Sequence, residues 1–118
     1  MRRAKLTVGE FVEIPDYCFD ERRSGWNGWL FATAQVIKVL GRNKYGDRVV
    51  LLEVCDRHGL NGEHYEKKVC ETRIFEKHGV VEWAQHQVDE APAAKYCNGR
   101  YNTVVYWLAE KGLVTGLR

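Results

Sequence analysis

The sequence predicts a mainly β fold, a small barrel of short bent strands, followed by two C-terminal α-helices. Three observations predict it. Apolar residues alternate with period two through the first two-thirds of the chain, Gly-rich turn clusters separate those runs, and after Gly79 the apolar spacing becomes helical. At 118 residues, 45% hydrophobic and 12% aromatic, the chain can build a core without disulfide staples. The expected organisation is a single domain over 1–118, with the barrel at 6–75 and a helical appendix at 79–112 packed on it.

Each element has its own warrant. "VGEFVEI" (8–14) puts Val12 and Ile14 on one face, Phe11 and Glu13 on the other, and Pro15 is expected to end the run. "PDYCFDERRSGWNG" (15–28) is polar and turn-rich, which predicts a long loop studded with aromatics. "WLFATAQVIKVL" (29–40) and "RVVLLEVC" (48–55) flank "GRNKYGD" (41–47), an antiparallel hairpin, with Val50, Leu52 and Val54 on one face. "YEKKVCETRIF" (65–75) reads as a fourth, more polar strand whose Lys67 and Lys68 discourage edge pairing. Val81, Ala84 and Val88 mark a helical face closed by Pro92. Asn102 then caps a second helix, "TVVYWLAEKG", with Gly112 as its stop.

Composition narrows the function classes. Eighteen basic residues against 16 acidic give a net charge of +2, so nucleic acid is allowed as a partner and not demanded. No stretch reaches the roughly 18 apolar residues of a membrane helix. "MRRAKLTVGE" lacks the apolar core of a secretory signal, so an intracellular protein with reduced thiols is expected. Cys55, His58, His64 and Cys70 are zinc-type ligands, but their spacing matches no common finger. The expectation is core cysteines and surface histidines, with no metal and no cofactor. Cys18 sits in "DYCFDE", whose acids raise a thiol pKa, so Cys-His catalysis is not expected and the chain reads as a non-enzyme.

"LTVGEFVEI", an aromatic loop, "GWLFATAQVIKV", "RVVLLEVCDRHG" and "KKVCETRIF" together resemble the strand order of SH3-like barrels of the Tudor and agenet kind. The resemblance covers about residues 6–75. It departs in a longer first loop and in Arg57 and His58 where an aromatic is usual beside the acid, here Asp56. It implies a shallow aromatic cage for a methylated Lys or Arg on a protein tail, as in methyl-lysine readers of chromatin, and hence a nuclear setting. Ring faces attract a methylammonium that sheds its hydration easily. Trp26, Trp29, Phe31 and Tyr65 are the cage candidates, with Asp56 or Asp16 as an acidic wall. Trp29 leans toward the core and Trp26, bracketed by turn residues, toward a partner.

The expected function is thus non-enzymatic recognition of a protein or peptide tail. The alternative is a nucleic-acid-binding module using Arg22 and Arg23 of the first loop with Arg42, Lys44 and Arg48 around the hairpin turn, or an assembly subunit that binds only protein. "YNTVVYWLAEKGLV" also resembles a winged-helix recognition helix, but no hairpin follows to form a wing and the helix is too apolar to face a groove.

Overall fold

A computed structural model of the chain describes residues 6–20, 26–56, 62–90 and 101–117, the side chains of 16–20 and 26–30 excepted. The protein is mainly β, a five-stranded antiparallel sheet followed by two C-terminal helices. The elements run β1 (Phe11–Asp20), β2 (Trp26–Arg42), β3 (Arg48–Cys55), β4 (His64–Cys70), a 3₁₀ turn (Glu71–Arg73), β5 (Phe75–Glu76), α1 (Val80–Glu90) and α2 (Thr103–Glu110). The chain divides into two compact units. Unit 1 holds residues 1–54 and 66–77, and unit 2 holds 55–65 and 78–118.

Unit 1 is organised by cross-strand rows. Val12 pairs with Ala34 and Ala34 with Val54, and all three are fully buried. Ile14 opposite Ala32 and Val36 opposite Leu52 repeat the arrangement one step along. Small residues on β2 face larger ones on β1 and β3, the alternation that lets a sheet curl without overfilling its interior. The strand order is β4-β3-β2-β1-β5, yet Val69 of β4 joins Val12 and Ile14 of β1 in one buried cluster with Ile74. A cavity lined from both β1 and β4 makes the same point. The sheet bends toward closure, compatible with a small β-barrel.

Two expectations for unit 1 are corrected. The stretch 15–28 is not a long loop: β1 runs through Pro15 to Asp20 and β2 begins at Trp26, in continuous register from Phe11↔Gln35 to Asp20↔Trp26. The aromatics scattered through it, Tyr17, Phe19 and Trp26, favour strand over loop. Pro15 is tolerated because β5 pairs β1 only at Val12 and Glu13, which among the described residues leaves one side of the strand without a ladder beyond them. Likewise 65–75 is not one strand. After Cys70 the chain makes the 3₁₀ turn, and two-residue β5 returns to pair with β1. No Gly or Pro announces that break.

The hairpin falls where its turn chemistry places it. Asn43 Oδ1 accepts from the backbone N–H of Tyr45 (2.9 Å) and Asp47 (3.1 Å), and Gly46 adopts φ +84°. Register shifts between Val36 and Lys38 and between Val39 and Gly41 mark bulges that bend the seventeen-residue β2. They also end the inward alternation, so Val39 and Leu40 are exposed.

In unit 2 the buried face of α1 is Val80, Ala84 and Val88, one residue earlier at its start than the expected Val81. Asn102 caps α2 as expected, its Oδ1 accepting from Val104 N–H at 2.9 Å. Gly112 at φ +78° ends it, with Leu113 N–H donating to Leu108 C=O at 3.0 Å, a Schellman closure. Helices α1 and α2 pack together. Gln85 of α1 holds the C-terminal tail by bonding both C=O and N–H of Thr115, at 2.9 and 3.0 Å. Trp107 is 0% exposed, with the Lys111 ammonium 4.9 Å from its ring centroid.

The tightest constraint in unit 2 is Gly62. It sits at φ +81°, and a Cβ there would lie 2.7 Å from the backbone nitrogen of Trp107. Gly46→Ala, where an added Cβ meets nothing within 4 Å, should cost only the left-handed backbone penalty, about 1–2 kcal/mol. Gly62→Ala should cost about 1–3 kcal/mol beyond that penalty, as overpacking does. Urea unfolding of the two variants beside wild type checks the difference. Trp107→Ala should lose about 3–5 kcal/mol in the same experiment.

Candidate functional site

The strand β4 and the turn before it bring together three of the residues singled out from the sequence, the cage candidates Asp56 and Tyr65 and the zinc-type candidate His64. Asp56 N–H donates to Glu63 C=O at 2.9 Å and closes the turn, so that Asp56 and Tyr65 stand on its two limbs. With Gly62, Glu63, His64 and Glu110 they line a shallow depression of about 540 Å³, wholly within unit 2. Tyr65 is 37% exposed. Three carboxylates and one accessible ring therefore surround a concavity whose chemistry suits a cation.

The other cage candidates lie in unit 1. Phe31 is 49% exposed and meets Phe75 edge-on, ring centroids 6.3 Å apart. Trp26 is the first residue of β2, opposite Asp20, and Trp29 pairs with Tyr17. Trp26 thus lies on a strand and not on the turn expected for it, while the side chains of Trp26, Trp29 and Asp16 lie outside the described residues. The depression also includes Glu63 and Glu110, which sequence reasoning missed. Glu63 stands two residues from Tyr65, and that proximity is a signal the sequence does carry. Glu110 ends a helix 45 positions away, and nothing in the sequence ties it to the turn.

The basic residues of the hairpin have defined partners. The Arg48 Nε donates to Glu71 Oε2 at 3.0 Å, and the Arg42 guanidinium donates to Gly46 C=O. Lys44 Nζ stands 5.2 Å from the ring centroid of Tyr45, which is 76% exposed at the tip. Arg22 and Arg23 lie outside the described residues. Cys55 is a buried free thiol and Cys70 a part-buried one, whose Sγ accepts from Thr72 Oγ1 at 3.3 Å. Among the described residues, no three His, Cys, Asp or Glu side chains are grouped to hold a metal ion; His58 lies outside them. Among the same residues, no helix is long and apolar enough to cross a membrane.

No protein-family model, no curated protein and no solved structure matches this chain. Its function has to be read from the chemistry of its surfaces.

Glu71 supplies a titration test of the hairpin's anchoring. Hydrogen bonds from Arg48, first its backbone N–H and then its guanidinium, hold the Glu71 carboxyl below the usual carboxylate range, with Arg42 adding a weaker attraction. A depressed carboxylate pKa adds stability above the unfolded value, and that stability is lost as pH falls through the folded one. The pairing should therefore persist through neutral pH and be lost only as pH falls past the ordinary carboxylate value of 4.5 and through the lowered one. A carbon-detected NMR titration should show Glu71 moving up toward the ordinary value in Arg48→Ala. An unchanged Glu71 would contradict the pairing.

Proposed function

We propose that this protein is a non-enzymatic recognition module whose unit 2 depression takes a cationic side chain from a protein tail, a methylated Lys or Arg fitting it best. The observation that carries the reading is the placement of Asp56, Glu63 and Glu110 around the accessible ring of Tyr65. A methylammonium keeps its charge, dehydrates at low cost and rests on a ring face, while the carboxylates select it over neutral groups.

The depression is open to water, which sets the strength. A cation over an exposed ring contributes about 0.5–1 kcal/mol, and each carboxylate near it about 1 kcal/mol in high dielectric. The sum is about 4 kcal/mol, which corresponds to a Kd of about 1 mM for a single side chain. Useful affinity then requires contacts to several residues of the tail or attachment to a larger assembly.

Nitrogen–proton correlation spectra recorded with three peptides test this reading, one carrying trimethyl-lysine, one lysine and one glutamine at the same position. The trimethyl-lysine and lysine peptides should shift the amides of Gly62, Glu63 and Tyr65, and the glutamine peptide should not. Tyr65→Ala should weaken the charged peptides by about 0.5–1 kcal/mol. Equal binding of the glutamine peptide, or shifts confined to unit 1, would refute the proposal.

A further inference from the structure

We propose that the end of the β2–β3 hairpin is a contact site for an anionic phospholipid surface, with Val39, Leu40 and Tyr45 entering the interface and Lys38, Arg42 and Lys44 meeting the headgroups. Three large apolar side chains stand in water there: Val39 is 37% exposed, Leu40 40% and Tyr45 76%. The two bulges of β2 leave them outside the core, because the inward alternation stops after Val36. Apolar side chains grouped on a surface mark a place that a partner covers.

The charge beside them says what kind of partner. Residues 38–48 carry four cations and one carboxylate, Asp47, which is half-buried. Arg48 is taken by Glu71 at 3.0 Å. Lys38, Arg42 and Lys44 make no ion pair among the described residues. Arg42 donates to Gly46 C=O and adds only a weak attraction on Glu71, and Lys44 Nζ stands 5.2 Å from the Tyr45 ring centroid. The partner is therefore anionic and also takes aliphatic groups. Long cationic side chains suit such a boundary, since the stem lies in the apolar layer while the charge stays among polar groups.

Two features favour lipid over other anions. Nucleic acid would stack on Tyr45 and touch the cations but leave Val39 and Leu40 in water. A protein groove meets one face of a hairpin, whereas this end is apolar and basic on both. Cross-strand partners share a face, so Val39 and Arg42 lie on the face of Val50 and Arg48, and Lys38 lies with Leu51 on the opposite one. Val49 and Leu51 of that second face are half-buried, not enclosed. A lipid interface surrounds an inserted end and accommodates both faces. The turn is also held in shape beforehand, by Asn43 Oδ1 accepting from Tyr45 and Asp47 N–H and by Asn43 Nδ2 donating to Cys70 Sγ at 3.8 Å, so binding orders little that is loose.

Co-sedimentation of the full chain with large unilamellar vesicles tests the site, pure phosphatidylcholine against phosphatidylcholine with about 30% phosphatidylserine. Wild type should bind the anionic vesicles and not the neutral ones, and more weakly as salt rises. Lys38→Gln with Lys44→Gln should weaken binding about 25-fold, about fivefold for each cation removed. Tyr45→Ser should weaken it about tenfold, the equivalent of about 55 Å² of apolar area no longer buried. Tyr45→Trp should strengthen it, as an interfacial anchor does. Circular dichroism melts of the variants should match wild type, since all three side chains are exposed. Absence of binding to the anionic vesicles would overturn the proposal, as would equal binding to the neutral ones or binding indifferent to these substitutions. Single-stranded DNA or polyglutamate bound more tightly than the vesicles at equal negative charge would overturn it too.

Discussion

The row Val12, Ala34 and Val54 fixes which residues unit 1 presents at its surface. Because side chains alternate along a strand, burying these three residues commits every other position of β1, β2 and β3 to a face. A slip of one residue would turn Val12, Ile14, Ala34 and Val54 outward together, exposing at least the apolar area of several side chains at about 25 cal/mol per Å². No surface interaction among the described residues approaches that cost. The small pocket that β1 and β4 line where the sheet bends toward closure depends on the placement of β1 in this register.

Unit 2 depends on a different constraint, the close approach of Gly62 to the backbone of Trp107. A turn residue can come that near a helix only without a Cβ, and the approach is what gathers turn carboxylates and the end of α2 around Tyr65. The depression in unit 2 thus includes Asp56, Glu63 and Glu110 beside Tyr65.

The sequence made some of this legible because local chemistry decided it. Asn43 and Gly46 set the hairpin turn, Asn102 and Gly112 bound α2, and alternation exposed the inward faces at 12–14 and 50–54. It misled where composition and pairing disagree. Residues 15–28 carry the turn formers Pro15, Ser24, Gly25, Asn27 and Gly28, yet strand pairing extends over Pro15 and over Asn27–Gly28. The return of the chain at 71–76 was hidden because its pairing partner is β1, some sixty residues earlier. Asp56 and Tyr65 were picked out through the resemblance to Tudor and agenet barrels, and they line one depression. Glu110 and the meeting of Ile14 with Lys68 arise from tertiary folding alone.

Strand register, more than any single functional residue, therefore underlies what unit 1 presents. The most direct test is a nuclear Overhauser measurement of the β1–β2–β3 rows on uniformly labelled protein. It should find short interstrand contacts joining Val12 to Ala34 and Ala34 to Val54, with Ile14 opposite Ala32. Contacts that instead join Val12 to Thr33 or Gln35 would show a sheet slipped by one residue and would contradict this account of unit 1's core and surface.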